Sequence, residues 1–303
     1  LFVVNPKAGN GKGMKVWRRI EPLLKRRNVG YRVEFTESPA HAANIARQLA
    51  ANDGGNTVLV VVGGDGTLQS VIPELVGSPV PVGVIPAGSG NDFARALGIP
   101  LHPEKALDSL LTGQIRKMDI ARTGDRFCVT VVGIGIDGKV AQTVNESRYK
   151  KWFHVFNMGR FSYVLGLFQV LLRYRPNRVT LFIDGTETTY SGVWLVAVAN
   201  VPSYGGGMNI CPHASYADGV FDICVVHGIS RFKFLFTFPK VFAGTHVHIA
   251  GVTMLKGKEV KIVSDSPMFA HGDGEMIGQT PIGISICREA IHVVSNNAAR
   301  APF

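Results

Sequence analysis

Apolar positions along the first hundred residues keep two alternating rhythms. Residues 1–4 form a short continuous apolar run. Val16, Ile20, Leu23 and Leu24 then recur at helical spacing, with Lys15, Arg18, Arg19, Lys25, Arg26 and Arg27 on the other faces. Residues 31–35 predict a second strand. An Ala-rich helix is predicted over 40–51, with Ser38 as its cap and Pro39 in its first turn. Residues 57–62 and 80–85 are nearly pure β-branched and aliphatic, the pattern of parallel strands buried on both faces. Leu68, Val71, Ile72 and Leu75 place a helix between them. Strands alternating with helices in this way predict an α/β unit around a parallel sheet.

From about residue 118 the rhythm changes. Short strands are predicted at 127–132, 178–183, 192–199, 220–226, 260–264 and 282–287, separated by Gly, Pro and Asp turns, which reads as a β-sandwich. A helical insert is expected at about 145–175, and residues 291–295 could return to the first unit. The expected domains are therefore 1–118, joined by a segment at about 289–303, and 119–288. A chain of 303 residues exceeds what one core usually serves, which agrees with two.

Composition narrows the function classes. With 46% hydrophobic residues the chain has material for a core, so disorder is excluded. The formal charge of +10 points to an anionic partner: nucleic acid, acidic lipid or a phosphorylated ligand. No helix-turn-helix, finger or RNA-binding motif is present, so nucleic acid is not the expected partner. No apolar stretch reaches the roughly 18 residues of a membrane span. Four scattered cysteines (Cys128, Cys211, Cys224 and Cys287) have no metal spacing and suit a reduced, cytoplasmic setting, and nothing at the start looks like a secretion signal.

Three of the early strands each end in a Gly-rich loop: Asn5-Pro6-Lys7-Ala8-Gly9, Gly63-Gly64-Asp65-Gly66-Thr67, and Pro86-Ala87-Gly88-Ser89-Gly90-Asn91-Asp92. Glycine lets the backbone approach a ligand closely, and N–H groups at a helix start cradle phosphate oxygens. One such loop could equally be a structural turn. Three at one sheet edge, where open α/β sheets gather ligands, make a phosphate site. Lys7, Lys12 and Arg95 are candidate counter-charges. Asp65 is out of place beside an anion unless it binds a cation or handles a proton. The spacing fits neither the P-loop nor the G-x-G-x-x-G dinucleotide pattern.

These loops resemble the diacylglycerol kinase catalytic-domain family, soluble lipid kinases related to sphingosine and ceramide kinases. The likeness continues in Gly133-Ile134-Gly135-Ile136-Asp137, in the run from Asn200 to Met208, in Pro212, Ala214, Asp218, Gly219 and Asp222, and in Asp273-Gly274-Glu275. The resemblance implies a Rossmann-like three-layer nucleotide-binding domain and a β-sandwich domain, with ATP in the cleft between them. It implies ATP contacts at Asn5, Pro6, Lys7, Ala8, Gly9, Thr36, Gly63, Gly64, Asp65, Gly66, Thr67, Gly88, Ser89 and Asn91. It further implies a structural Mg²⁺ on Ser215, Asp218 and Val220. The catalytic carboxylates are expected at Glu275 and Asp273, with Glu275 taken as the proton acceptor and Asp273 as its rival. Asp65 is expected to help place nucleotide-bound Mg²⁺ or the acceptor hydroxyl.

The expected reaction is ATP- and Mg²⁺-dependent phosphorylation of diacylglycerol or a similar lipid by a cytoplasmic enzyme attached peripherally to membrane. One position departs from the family pattern: Gln69-Ser70 stands where relatives commonly carry Asn-Glu. Rival readings are an NAD kinase-like enzyme and a weakly active lipid- or nucleotide-binding regulator. Two stretches carry basic excess, with eight Lys/Arg against Glu21 between Lys12 and Arg32, and seven against Glu146 between Asn145 and Arg178. Either is an ordinary solvated helix face, or the second, rich in aromatics, is a surface for anionic lipid. Phe232, Phe234, Phe236 and Phe238 alternate like a strand, although the resemblance places a helix there; the row suits core, a lip of the site or a homodimer surface. His246 and His248 are read as packing or surface residues.

Overall fold

The computed structural model describes residues 1–146 and 170–296, so most of the helical insert expected at 145–175 lies outside the described residues. The chain divides into two compact units, Leu1–Asp119 with Arg288–Phe303, and Ile120–Cys287.

In the first unit, β1 (Phe2–Val4), β2 (Val33–Phe35), β3 (Leu59–Gly63), β4 (Pro81–Pro86) and the end of β15 (Ile282–Ser295) form a parallel sheet in the order β2-β1-β3-β4-β15. All of β1, β3 and β4 is buried, as strands covered on both faces must be. Helices α1 (Ala8–Arg26), α2 (Pro39–Asn52), α3 (Asp65–Val71), α4 (Asp92–Ala96) and α5 (Pro103–Thr112) connect these strands. Ser38 caps α2 by accepting from the His41 amide at 3.2 Å. The chain leaves β1 toward β2 on one side and later returns to place β3 on the other. The carboxyl ends of β1 and β3 are therefore a topological switch point, where open α/β sheets bind ligands.

The second unit is built on β9 (Thr186–Ala199), which pairs antiparallel with β8 (Asn177–Ile183), β7 (Val131–Gly135) and β10 (Phe221–His227). β10 continues to β11 (Val252–Gly257), β8 to β12 (Glu259–Ser264), and β7 to β13 (Phe269–Gly272) and β14 (Glu275–Gln279). The pleat sends alternate residues of β9 and β10 into two cores. Val196, Val198, Ile223 and Val225 enter the one between strands, joined by Leu181 and Ile262. Leu195, Ala197, Cys224 and Val226 enter the other, which is covered by α6 (Ile136–Glu146) and α7 (Arg231–Ala243).

Two local expectations change, and a third, open between strand and helix, is decided. The run 127–132 is two strands, β6 (Arg126–Cys128) and β7, because the Val129 and Thr130 amides donate to Asp273 instead of a ladder. Residues 282–287 and 291–295 belong to one strand. The Phe row is helical: Ser230 caps α7 by accepting from Lys233, and Gly244 ends it in the left-handed conformation. The cysteines are free thiols, with Cys128, Cys211 and Cys224 buried. Among the described residues no helix is long and apolar enough to cross a membrane.

Candidate active site

In the first unit the three Gly-rich loops crowd together. A Cβ on Gly64 would stand 2.8 Å from the Gly88 Cα, and one on Gly9 would stand 2.3 Å from the Ala87 carbonyl oxygen. These glycines are needed because backbone meets backbone, not merely to make turns. Gly9, Asn10 and Gly11 are all left-handed, so regular α1 starts only after the first loop has curled over the edge of the sheet. Asn5 locks this arrangement: its Nδ2 donates to Thr67 Oγ1 at 2.9 Å, and its Oδ1 accepts from the Lys7 amide at 3.1 Å.

The third loop is closed by left-handed Asn91, whose Oδ1 accepts from the Gly88 amide at 2.8 Å while its Nδ2 donates to the Gly88 carbonyl at 2.9 Å. Arg95 Nε reaches back to the Gly90 carbonyl at 3.4 Å. Of the expected nucleotide contacts, Lys7, Gly66 and Ser89 are exposed on the loops; Pro6, Ala8 and Gly64 are half-buried; Gly63 and Thr67 are buried. Thr36 is buried at the end of β2, its amide donating to the Val4 carbonyl at 2.8 Å.

Asp65 links the second and third loops. Its Oδ1 accepts from the Phe93 amide at 3.2 Å. Burial pushes its pKa above the ordinary value, and the amides of Phe93, Asn91 and Asp92 only partly oppose this. A carboxylate held against its preference for charge gains from a nearby cation. Ser70 Oγ donates to the Gly66 carbonyl at 3.2 Å, so its hydroxyl is turned back onto its own helix.

In the second unit, Asp273 and Gly274 form the turn between β13 and β14, with φ of 51° and 86° and Gly272 paired to Glu275. A two-residue hairpin with both central residues left-handed favours Asp-Gly, so this part of the motif has a structural cause. The Asp273 carboxylate is engaged. Its Oδ2 accepts from the Val129 amide at 2.9 Å, and its Oδ1 from the Thr130 amide at 2.8 Å and the Thr130 hydroxyl at 2.5 Å. Glu275, two residues on, is exposed. The two carboxylates that the sequence leaves equivalent thus stand in different environments.

A buried polar group lies behind the hairpin. Tyr204 Oη donates to Asp137 Oδ2 at 2.6 Å, and His271 Nε2 lies 2.7 Å from the same oxygen. The cause is strand register: His271 on β13 pairs with Gly133 on β7, where a Cβ would stand 2.4 Å from Asp137 and 2.5 Å from His271. Asp137 also borders a small, largely apolar cavity of about 40 Å³ whose walls include Ile136, Leu195, Met208, Phe234 and Val241. His246 forms part of that wall, fully buried, with Nε2 3.0 Å from the Ile210 carbonyl, in keeping with a packing role.

Ser215, Asp218 and Val220 lie on one turn before β10, where the Val220 amide donates to Asp218 Oδ1 at 3.3 Å. Asp222 follows, paired across the sheet with Lys256 of β11. Lys256 Nζ is 3.3 Å from Asp222 Oδ2 and 3.7 Å from Asp218 Oδ2. Burial, with the Asp218 charge, raises the pKa of Asp222 against the opposing pull of Lys256. Two buried carboxylates share one ammonium, and hard oxygens of this kind fit a divalent cation. Among the described residues no three His, Cys, Asp or Glu side chains form a metal cluster, so an ion here would need backbone or hydroxyl oxygens as well.

His271, Tyr204 and Lys256 are the residues that reading the sequence missed in these roles. The only signal for His271 is its place two residues before Asp273.

Comparison with known proteins agrees with the geometry. A family model described as "Diacylglycerol kinase catalytic domain" matches residues 1–123, and one described as "YegS C-terminal NAD kinase beta sandwich-like domain" matches residues 130–295. A diacylglycerol kinase of Mycobacterium tuberculosis is 34% identical over 298 residues, covering 96% of this chain and 93% of the relative. One of Bacillus subtilis is 28% identical, covering 97% and 95%. A crystal structure of a diacylglycerol kinase from Bacillus anthracis superposes with a TM-score of 0.73 at 20% identity, covering 98% and 97%, a likeness of fold. With the matching glycine loops in one unit and the D-G-E hairpin in the other, this chain belongs to the diacylglycerol kinase catalytic-domain family.

Proposed function

We propose that the chain transfers the γ-phosphate of ATP to the hydroxyl of diacylglycerol or a similar lipid, giving phosphatidic acid or its analogue, as a cytoplasmic enzyme held peripherally to membrane. The observation that carries this reading is the hairpin of the second unit, which leaves Glu275 open to solvent while Asp273 is held by the Val129 and Thr130 amides. The crowded backbone of the glycine loops suits the phosphates of the nucleotide.

Glu275 is the proton acceptor in this reading. As the acceptor oxygen forms its bond to the γ-phosphorus, Glu275 takes the hydroxyl proton, the bond to the bridging oxygen breaks, and ADP departs. Asp273 holds the hairpin, since its oxygens already accept from Val129 and Thr130. Lys7 and the loop amides bind the phosphates, and Asp65 orients the nucleotide with its cation. Mg²⁺ supplies charge neutralisation on the phosphates, and a second, structural Mg²⁺ would be held by Ser215, Asp218 and Val220.

The test is labelled ATP and Mg²⁺ with diacylglycerol, ceramide and NAD⁺ offered in parallel, followed by identification of the product. A phosphorylated lipid is expected. Transfer to NAD⁺ alone, or to no acceptor in a broad lipid panel, would replace this reading with the NAD kinase-like or regulatory one.

A further inference from the structure

Glu275 stands on the outer part of a hairpin at the edge of the sheet. Among the described strands β14 pairs with β13 alone. The pairing of these two strands is itself interrupted. Ala270 faces Gly278 and His271 faces Met276, which leaves Ile277 as an extra residue between them. A bulge of this kind bends a strand and re-aims the side chains beyond it. Beyond it lie only the pairs His271 with Met276 and Gly272 with Glu275, and then the Asp273-Gly274 turn. His271 is therefore the first residue of the segment that carries the proton acceptor.

A buried side-chain cluster ties that residue to the body of the unit. Asp137 lies in the first turn of α6, and its Oδ2 accepts from Tyr204 Oη at 2.6 Å and from His271 Nε2 at 2.7 Å. A carboxylate only accepts, so Nε2 carries a hydrogen whether the ring is neutral or charged. His271 Nδ1 has no hydrogen-bond partner among the described residues, which leaves Asp137 as the polar tie of this side chain. The Tyr204 ring lies nearly parallel to the imidazole, with centroids 6.1 Å apart and planes at 20°. Helix α6 also meets β13 through backbone, since a Cβ on Gly138 would stand 2.1 Å from the Phe269 carbonyl oxygen. Asp273 fastens the turn to the residues just before β7, and this cluster fastens the base of the hairpin to the helix that follows β7. Buried hydrogen-bonded clusters rigidify what they join.

We propose that His271, tied through Asp137 to the start of α6 and braced by Tyr204, is a positioning residue that sets the hairpin of Glu275 for proton transfer. It handles neither the proton nor the phosphoryl group and acts through Glu275. This role rests on the reading of Glu275 as proton acceptor, whereas the clamp on the hairpin is measurable without turnover. Misplacing a reacting group by about 1 Å costs on the order of 100-fold in rate, so a tie this close to Glu275 has leverage on the reaction. One donor at the place of Nε2 is enough for the tie. Gln at position 271 can present its amide N–H there, while Leu fills the space and donates nothing.

The experiment compares His271→Gln, His271→Leu and Tyr204→Phe in the full chain, each alone and combined with Glu275→Gln. Turnover is read with labelled ATP, Mg²⁺ and short-chain diacylglycerol, at a temperature where circular dichroism shows each variant folded. Hydrogen exchange of the backbone amides at 272–276 is read by mass spectrometry. His271→Leu should lower kcat roughly 10- to 100-fold with the KM for ATP within about 2-fold, while His271→Gln stays within about 3-fold of wild type. In the Glu275→Gln background His271→Leu should cost nothing further, because groups that act as a unit are not additive. Exchange at 272–276 should quicken in His271→Leu and stay near wild type in His271→Gln. Undiminished kcat in folded His271→Leu overturns the proposal. So does an equal loss with and without Glu275, or an equal loss in the Gln and Leu variants. If His271→Leu does not fold, Tyr204→Phe decides: a fall in kcat that vanishes in the Glu275→Gln background supports the role, and an unchanged kcat overturns it. A wild-type chain that phosphorylates no lipid overturns the kinase reading, and exchange at 272–276 then decides the clamp alone. Full turnover in Glu275→Gln moves the base elsewhere and removes the positioning role with it.

Discussion

His271 Nε2 lies 2.7 Å from Asp137 Oδ2, with both side chains shut away from solvent. Burial works against the imidazolium, but the charge and hydrogen bond of Asp137, helped by Asp273, outweigh it and raise the pKa of His271 above its ordinary value. A base with a raised folded pKa contributes stability that is complete below its unfolded value and lost as pH climbs through the folded one. The melting temperature should therefore fall as pH rises above about 6.5, and His271→Gln should flatten that slope. Asp137→Ala, which strands the partner, should cost about 3–5 kcal/mol in denaturant unfolding. A wild-type profile flat over this range would remove the pair from the account of stability.

The two carboxylates of the hairpin should separate in experiment. Asp273→Asn keeps one acceptor oxygen but turns the other into an NH2 donor facing either the Val129 amide or the Thr130 amide and hydroxyl, and should destabilise the chain by about 1–3 kcal/mol. Glu275→Gln is exposed and should change stability by no more than about 0.5 kcal/mol. Its turnover with diacylglycerol should nevertheless fall by about 10²–10⁴, the usual worth of a general base. Unchanged turnover in Glu275→Gln would move the base elsewhere.

Gly64 has a backbone that any residue can adopt, at φ −114°, so the cost of a side chain there is purely one of space. Gly64→Ala brings a methyl group to 2.8 Å from the Gly88 Cα, backbone against backbone. Stability should drop by about 1–3 kcal/mol as the loops part. Binding of ADP, read by calorimetry, should weaken with it, whereas Gly66→Ala, with open space around its Cβ, should leave the fold unaffected.

Lys256 is the one ammonium shared by Asp218 and Asp222. Mg²⁺ that binds only the folded chain should raise the melting temperature, by about 2.7 kcal/mol equivalent at 100 times its dissociation constant. Lys256→Met should lower stability without Mg²⁺ and enlarge the gain on adding it, because two carboxylates then lack a counter-charge. Asp218→Asn should abolish the gain. A Mg²⁺ response equal in all three proteins would place the ion elsewhere.

Much of the fold is written in local rhythm. The buried parallel strands, the capped Ala-rich helix and the three glycine loops are legible because each depends on neighbouring residues: side-chain period, β-branching and the steric freedom of glycine. The membership of Asn5, Asp65 and Asn91 in a common site follows from those loops ending strands of one parallel sheet. What periodicity cannot carry is register and contact across long separations. Tyr204 and His271 reach Asp137 from 67 and 134 residues away, and only strand pairing brings them together. The Phe row reads as a strand by alternation, yet a Ser230 cap, a left-handed Gly244 and the shape of the core beneath make it a helix with Phe232 and Phe236 outside. Asp273 and Glu275 look alike in sequence. The tertiary structure alone separates them, because a hydrogen-bonded turn occupies one and leaves the other open to solvent.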